Sequence, residues 1–403
     1  MRFKTFDIIP HDTRFDFVGK RRIAVVLSLI ANLAVILWST LHGLNFGVDF
    51  AGGTELEVKF TKTVDPSALR KAVEELGLKD ASVQTYGPET DHSYLIRVGR
   101  IALMSQEDVN RVVDAVKGKF PVEGTPHFNA DVGDKIDFQF QGTPPSPEAL
   151  RAAVEAAGVQ MREVREEVGL TAGTKSFAVI TQGIQDKLER GLAARFGDVS
   201  PLVDGKPTPV QRVEYVGPAV GRELRNQGFK AILYAMALIV VYVGLRFDFR
   251  FSPGVIIALV HDAIITLGYF AFSGREFNLT SVAVILTVVG YSVNDTVVVY
   301  DRIRENQAKL KGKKLADLVN VSINEVLGRT FLTSFATALS LVGLLIYGVG
   351  TIFDFSAAMM VGIISGTYST WFIAAPMTIW LEERAARKGT APRPERAAAH
   401  AAR

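Results

Sequence analysis

The sequence predicts a polytopic α-helical membrane protein: six spanning helices, with one soluble α+β domain inserted after the first. Three observations lead there. The 403 residues are 48% hydrophobic and 22% charged, and their mean hydropathy is +0.21. That charge content is ordinary for a soluble chain, so charged and apolar residues must be segregated along the sequence. Six apolar runs approach or exceed the roughly 20 residues that cross a bilayer core. Between the first and second of them, residues 44–226 contain no such run.

Residues 1–22 form a basic N-terminal segment ending in Lys20-Arg21-Arg22, and 23–41 is the first span. The run is longer than a signal-peptide core, and Ser39-Thr40-Leu41-His42 is a poor cleavage site, so it reads as an uncleaved anchor. Residues 42–227 are the soluble domain. The remaining spans are 229–245, 253–272, 279–300, 331–349 and 355–381. Lys and Arg number six, two, seven and six in segments 1–22, 246–252, 301–330 and 381–403, whereas loops 273–278 and 350–354 hold only Arg275. The positive-inside rule then predicts cytoplasmic termini and an external domain. In the 301–330 loop, Leu315, Leu318, Val319, Ile323, Val326 and Leu327 line one helical face, predicting an amphipathic helix lying on the cytoplasmic surface. The Ala/Pro/Arg-rich tail 382–403 is expected to be disordered.

The soluble domain reads as a tandem duplication, with repeats at about 55–121 and 136–200. Ala68-Leu69-Arg70 and Ala149-Leu150-Arg151 recur in register, each after a Pro-initiated helix start and before a Gly cap. Alternating strands flank each helix, so each unit is β-α-β-β-α and approaches a ferredoxin-like topology. The glycines of Gly47–Gly53 suit a tight turn better than a phosphate site. His92 and His127 have no ligand-spaced acid or cysteine nearby and read as surface residues. The chain has no cysteine, which excludes disulfides and thiolate chemistry, and a net charge of +3 makes no case for nucleic acid. With no catalytic constellation visible, neither an enzyme nor a cofactor is expected.

Ionisable groups within spans are costly and mark function or pairing. Asp295 lies six residues before Asp301, about 9 Å into the membrane along a helix. It shares a face with Thr287 and Tyr291. Arg329 opens the fifth span and shares a face with Thr333, Thr337 and Ser340. Two facing polar stripes suggest a hydrated proton route; a static Asp295–Arg329 pair fixing helix packing is the other reading. Asp262, after His261, is nearer its helix end and reads as a capped or solvated acid, with a part in proton transfer left open; His261 reads as interfacial. Gly362 and Gly366 make a GxxxG pattern for close helix contact.

Several of these segments resemble the SecF branch of the SecD/SecF protein-export family, within the RND superfamily. They are Asp16-Phe17-Val18-Gly19-Lys20-Arg21-Arg22, Gly47-Val48-Asp49-Phe50-Ala51-Gly52-Gly53-Thr54, Val216-Gly217-Pro218-Ala219-Val220-Gly221-Arg222-Glu223-Leu224, His261-Asp262, and above all Gly290-Tyr291-Ser292-Val293-Asn294-Asp295-Thr296 continuing to Asn306, with Arg329-Thr330 and Thr333-Ser334. The resemblance implies a bacterial inner-membrane subunit that pairs with SecD beside the SecYEG channel, with YajC a further neighbour. It implies use of the proton gradient, without a cofactor, to draw exported polypeptides outward. Its proton-path positions fall on Asp295 and Arg329, joined by Asn294, Thr333 and Asp262, while Gly290, Gly362 and Gly366 serve helix packing. A scaffold subunit without its own proton path remains the alternative. The apparent doubling of the soluble domain departs from the family pattern.

Overall fold

The computed structural model describes residues 13–78, 81–86, 89–99, 103–128, 134–141, 144–168, 175–246 and 252–387. The chain divides into a helical unit, Met1–Asn45 with Asn226–Arg403, and a soluble unit, Phe46–Arg225. Helix α1 (Arg21–His42) opens the helical unit. The soluble unit contains α2 (Val48–Ala51), β1 (Gly53–Lys59), α3 (Pro66–Glu75), β2 (Ser82–Tyr86), β3 (Ser93–Val98), α4 (Gln106–Lys117), β4 (Val122–Phe128), β5 (Lys135–Phe140), α5 (Pro147–Ala156), β6 (Met161–Val168), β7 (Lys175–Thr181), α6 (Ile184–Phe196), the short pair β8 (Leu202–Val203) and β9 (Lys206–Pro207), and β10 (Val210–Val216). Then follow α7 (Pro218–Arg246), α8 (Ser252–Ser273), α9 (Leu279–Lys309), α10 (Leu315–Tyr347), α11 (Thr351–Ser369), a π-turn (Thr370–Ala374) and α12 (Ala375–Arg387).

Two antiparallel four-stranded sheets organise the soluble unit, in the orders β10-β1-β3-β2 and β4-β5-β7-β6. Alternation sets the faces. Leu56, Val58 and Phe60 are buried, while Glu55 faces out and meets its cross-strand partner Arg97 at 2.5 Å. Local chemistry starts the helices. Asp65 accepts from Ser67 N (3.0 Å) before Pro66, and Ser146 accepts from Ala149 N (3.2 Å) before Pro147. At α4, Ser105 and Asp108 bond each other's backbone N–H in a capping box.

The helices do not stay with the strands that precede them. Ile184, Leu188 and Leu192 of α6 pack with β1, β3 and α3, whereas Val109, Val112 and Val116 of α4 pack with β5, β7 and α5. The repeat boundaries expected at 55–121 and 136–200 would set each second helix on the sheet of its own strands; instead α6 lies on the first sheet and α4 on the second. The reason is connection length. Only residues 118–121 separate α4 from β4, so α4 stays beside the sheet that β4 joins. After α6 the chain returns to β10 on the edge of the first sheet.

In the helical unit, the apolar windows of α8, α9 and the α11–α12 stretch are 50%, 56% and 56% buried, against 17% for each of α1, α7 and α10. Helices α8, α9 and α11 therefore form the core. Among the described residues six helical stretches are long and apolar enough to cross a membrane; they fall on the six apolar runs of the sequence, the fifth ending at Tyr347. One expectation fails: the amphipathic segment of 301–330 is the first part of α10, an unbroken helix of 33 residues, and not a separate surface helix. Its apolar face instead meets the extended end of α9. Asn306 Nδ2 donates to Ser322 Oγ (3.0 Å) and Glu325 (2.6 Å), and Arg302 Nε to Glu325 (2.6 Å). Helix α12 continues to Arg387, so 382–387 are helical; the rest of the expected disordered tail, like residues 1–12, lies outside the described residues.

Leu188 is fully buried, and Leu188→Ala should cost about 2–5 kcal/mol. Hydrogen exchange should rise first in β1 and β3, on the sheet that α6 covers; a rise confined to β5 and β7 would contradict the exchange of helices. Asp134 accepts from Leu103 N (2.9 Å) and Met104 N (2.7 Å), yet burial pushes its carboxyl above the usual carboxylate range. Its folded pKa then exceeds the unfolded one, so its contribution to stability grows as pH falls through the raised value. Relative to Asp134→Asn, the unaltered chain should gain stability between pH 7 and 4 in denaturant titrations; a constant difference would refute this.

Candidate functional site

Glycines on α11 set the spacing of the helical core. A Cβ on Gly362 would collide with Val288 of α9, and one on Gly366 would lie 3.0 Å from Ser292 Cβ. Small residues at i and i+4 let the two backbones approach, and Ser292 thereby reaches Asp262 of α8.

Asp262 is fully buried and accepts from three serines: Ser292 Oγ (2.6 Å) and Ser369 Oγ (2.7 Å) on Oδ2, and Ser365 Oγ (2.7 Å) on Oδ1. His261 Nδ1 lies 3.0 Å from Oδ1. The carboxylate thus ties α8, α9 and α11 together through three hydroxyl donors. This corrects the reading of Asp262 as a capped or solvated acid, and of His261 as interfacial, since it too is buried. Depth along its own helix misjudged both residues, because neighbouring helices close over them.

Asp295 sits one turn beyond Ser292 on α9 and is also buried, but Ser334 Oγ of α10 is its hydrogen-bond donor at 3.2 Å. Ser334 in turn shares a hydrogen bond with Thr367 of α11 (2.8 Å). Arg329 is exposed and forms no ion pair with Asp295, so the static pair considered from the sequence is not made. Asn294 and Thr333 are exposed as well, and the Thr333 hydroxyl donates back to the carbonyls of Arg329 (3.1 Å) and Thr330 (2.9 Å). The polar stripes meet once, where Tyr291 OH and Thr337 Oγ1 lie 3.1 Å apart. Gly290 is exposed and a Cβ there would meet nothing within 4 Å, so among the described residues it packs against no helix, contrary to expectation.

Sequence reasoning missed the π-turn at Thr370–Ala374. Thr370 Oγ1 lies 2.9 Å from Thr296 Oγ1, beside Asp295, and Tyr300 OH donates to the Ala374 carbonyl (3.0 Å). The available signal was Pro376, which lacks an N–H and crowds the carbonyl four residues earlier, at Phe372 inside the turn. π-turns are frequent at functional positions. In the soluble unit, Gly52 (φ +79°) and Gly53 (φ +129°) occupy backbone closed to other residues. A Cβ on Gly52 would also lie 2.8 Å from Pro218 Cα. The Gly47–Gly53 segment is thus a close backbone crossing. Among the described residues no three His, Asp or Glu gather as a metal site.

Residues 199–384 match the family described as Protein export membrane protein SecD/SecF, C-terminal, and residues 38–64 match the SecD/SecF GG motif. A protein translocase subunit SecF from Koribacter versatilis is 35% identical, over 95% of this chain and 95% of its own. Another, from Magnetococcus marinus, is 35% identical over 93% and 94%. The crystal structure of SecDF, a translocon-associated membrane protein from Thermus thermophilus, superposes with a TM-score of 0.63 at 29% identity and covers 92% of this chain. This chain spans 39% of the length of that one.

If the Gly362 contact sets helix spacing, Gly362→Ala should destabilise the detergent-solubilised protein by about 1–3 kcal/mol through overpacking. Combining it with Val288→Ala should restore much of the loss. A thermal melt in which the double variant is no better than Gly362→Ala would refute the contact.

Proposed function

The chain belongs to the SecD/SecF family of protein-export membrane proteins, and on that premise we propose that it is the SecF-type half of a proton-driven export device. In this reading it lies in the bacterial inner membrane with both termini in the cytoplasm and the Phe46–Arg225 unit outside, as the Lys/Arg asymmetry supports. It pairs with SecD beside SecYEG, with YajC as a neighbour, and acts on exported polypeptides. It uses no cofactor and performs no catalytic step. The two sheets are read as copies of one ferredoxin-like unit that have exchanged helices.

The observation that carries the proposal is Asp295: a buried carboxylate held by one hydroxyl, with acceptor capacity to spare, next to an exposed polar face. Asn294, Arg329 and Thr333 lie on that face, on helices long and apolar enough to span a bilayer. Polar groups at such depth call for a polar partner or a hydrated path, which a second six-helix subunit would supply. A proton arriving from outside neutralises Asp295 and changes its bond to Ser334, and through Ser334 the contact with Thr367. Helices α9, α10 and α11 then repack, and the external unit moves with them. Each charge crossing the membrane is worth about 2.3 kcal/mol per 100 mV, enough to bias such a movement.

The saturated cage around Asp262 favours a second reading, a scaffold subunit whose partner does the proton work. Gradient-dependent export in membrane vesicles, at constant ATP and equal assembled amounts, separates the two. Asp295→Asn and Arg329→Met should each remove the gradient-dependent part and leave the ATP-driven part. Unchanged export in both would leave the scaffold reading standing.

A further inference from the structure

At one end of the helical unit, the start of α1 and the end of α12 enclose a groove of about 780 Å³. Its wall is apolar, with Val25 of α1 and Trp380 of α12, and its rim carries Arg21, Arg22 and Arg384 against the carboxylate of Glu383. Val25 and Trp380 are partly exposed, so the wall opens to the surroundings of the helices.

The rim is electrostatically incomplete. Arg21 Nη2 is 3.7 Å from Glu383 Oε1, an ionic contact beyond hydrogen-bond length. The other terminal nitrogen, Nη1, is buried and has no hydrogen-bond partner among the described residues. A buried donor left unsatisfied is costly, and a guanidinium suits a phosphate oxygen. Arg384 lies over the Trp380 ring, its guanidinium carbon 5.1 Å from the centroid, which keeps that charge at the groove. Arg21 and Arg22 are the first residues of α1, and no acidic residue occupies its first turn. The helix dipole disfavours cations there and favours an anion.

We infer that this groove binds an anionic phospholipid, with its phosphate among Arg21, Arg22 and Arg384 and an acyl chain along Val25 and Trp380. A free inorganic anion would use the rim and leave the apolar wall wet; the lipid uses both. Basic pockets between spanning helices are suited to such headgroups. The lipid assignment does not depend on the proton path; the proposed topology only adds that the leaflet is the cytoplasmic one.

The chain has three tryptophans, so Trp38→Phe with Trp371→Phe leaves Trp380 as reporter in the groove. The full chain is reconstituted in phosphatidylcholine vesicles containing brominated phosphatidylglycerol or brominated phosphatidylcholine. Trp380 emission should be quenched at severalfold lower mole fraction of the anionic lipid. Arg22→Gln with Arg384→Gln should cut that preference, by about fivefold per arginine removed. Equal quenching by both lipids would overturn the proposal, as would a preference undiminished in the double variant. So would an absence of quenching, which would mean that protein covers the groove. Loss of the preference on adding inorganic phosphate at constant ionic strength would replace the lipid site with a free-anion site. Native mass spectra of the chain with its tryptophans intact, from equimolar phosphatidylglycerol and phosphatidylethanolamine, should show the anionic lipid retained, and the arginine double variant should lose it.

Discussion

The approach of α9 to α11 at Gly362 and Gly366 governs the helical core. Without side chains there, Val288 and Ser292 fill the space that a methyl group would take. Ser292 then joins Ser365 and Ser369 around Asp262, and a buried acid becomes a three-helix joint. One residue beyond Ser369 the helix widens into the π-turn, whose Thr370 meets Thr296. Backbone proximity and the hydroxyl cage are consequences of one packing distance, and the π-turn set by Pro376 follows directly on them.

The same packing gives the two membrane acids different surroundings. Asp262 has four polar neighbours and no exposed surface. Asp295, one turn along α9 from Ser292, has one hydroxyl donor and lies beside a polar face that the described residues leave uncovered. A carboxylate saturated with donors favours a fixed joint, whereas one with spare acceptor capacity can exchange partners. This contrast is what makes Asp295 the stronger candidate for a moving part.

Much of this was legible in particular residues. The six apolar runs, the Pro-initiated helices after Asp65 and Ser146, and the alternation of Leu56, Val58 and Phe60 follow from local chemistry and periodicity. The GxxxG pair was legible as well, and its contacts are with α9. The settings of Asp262, His261 and Gly290 were misread, because each depends on which helix lies alongside. The placing of α4 and α6 was invisible for the same reason: an amphipathic face records that it is buried and not the sheet that buries it.

By itself the sequence determined the number and placement of apolar helices, the α+β character of the inserted domain and the charge asymmetry of the loops. Each of these depends on neighbours in the chain and on transfer from water, which a linear pattern encodes. Only the tertiary structure decided that Asp262 is caged, that Arg329 makes no ion pair with Asp295, that α6 covers the first sheet and α4 the second, and that arginines of α1 and α12 converge on one groove. Those outcomes depend on distances between segments far apart in sequence, and close packing of side chains, which periodicity does not record, sets them.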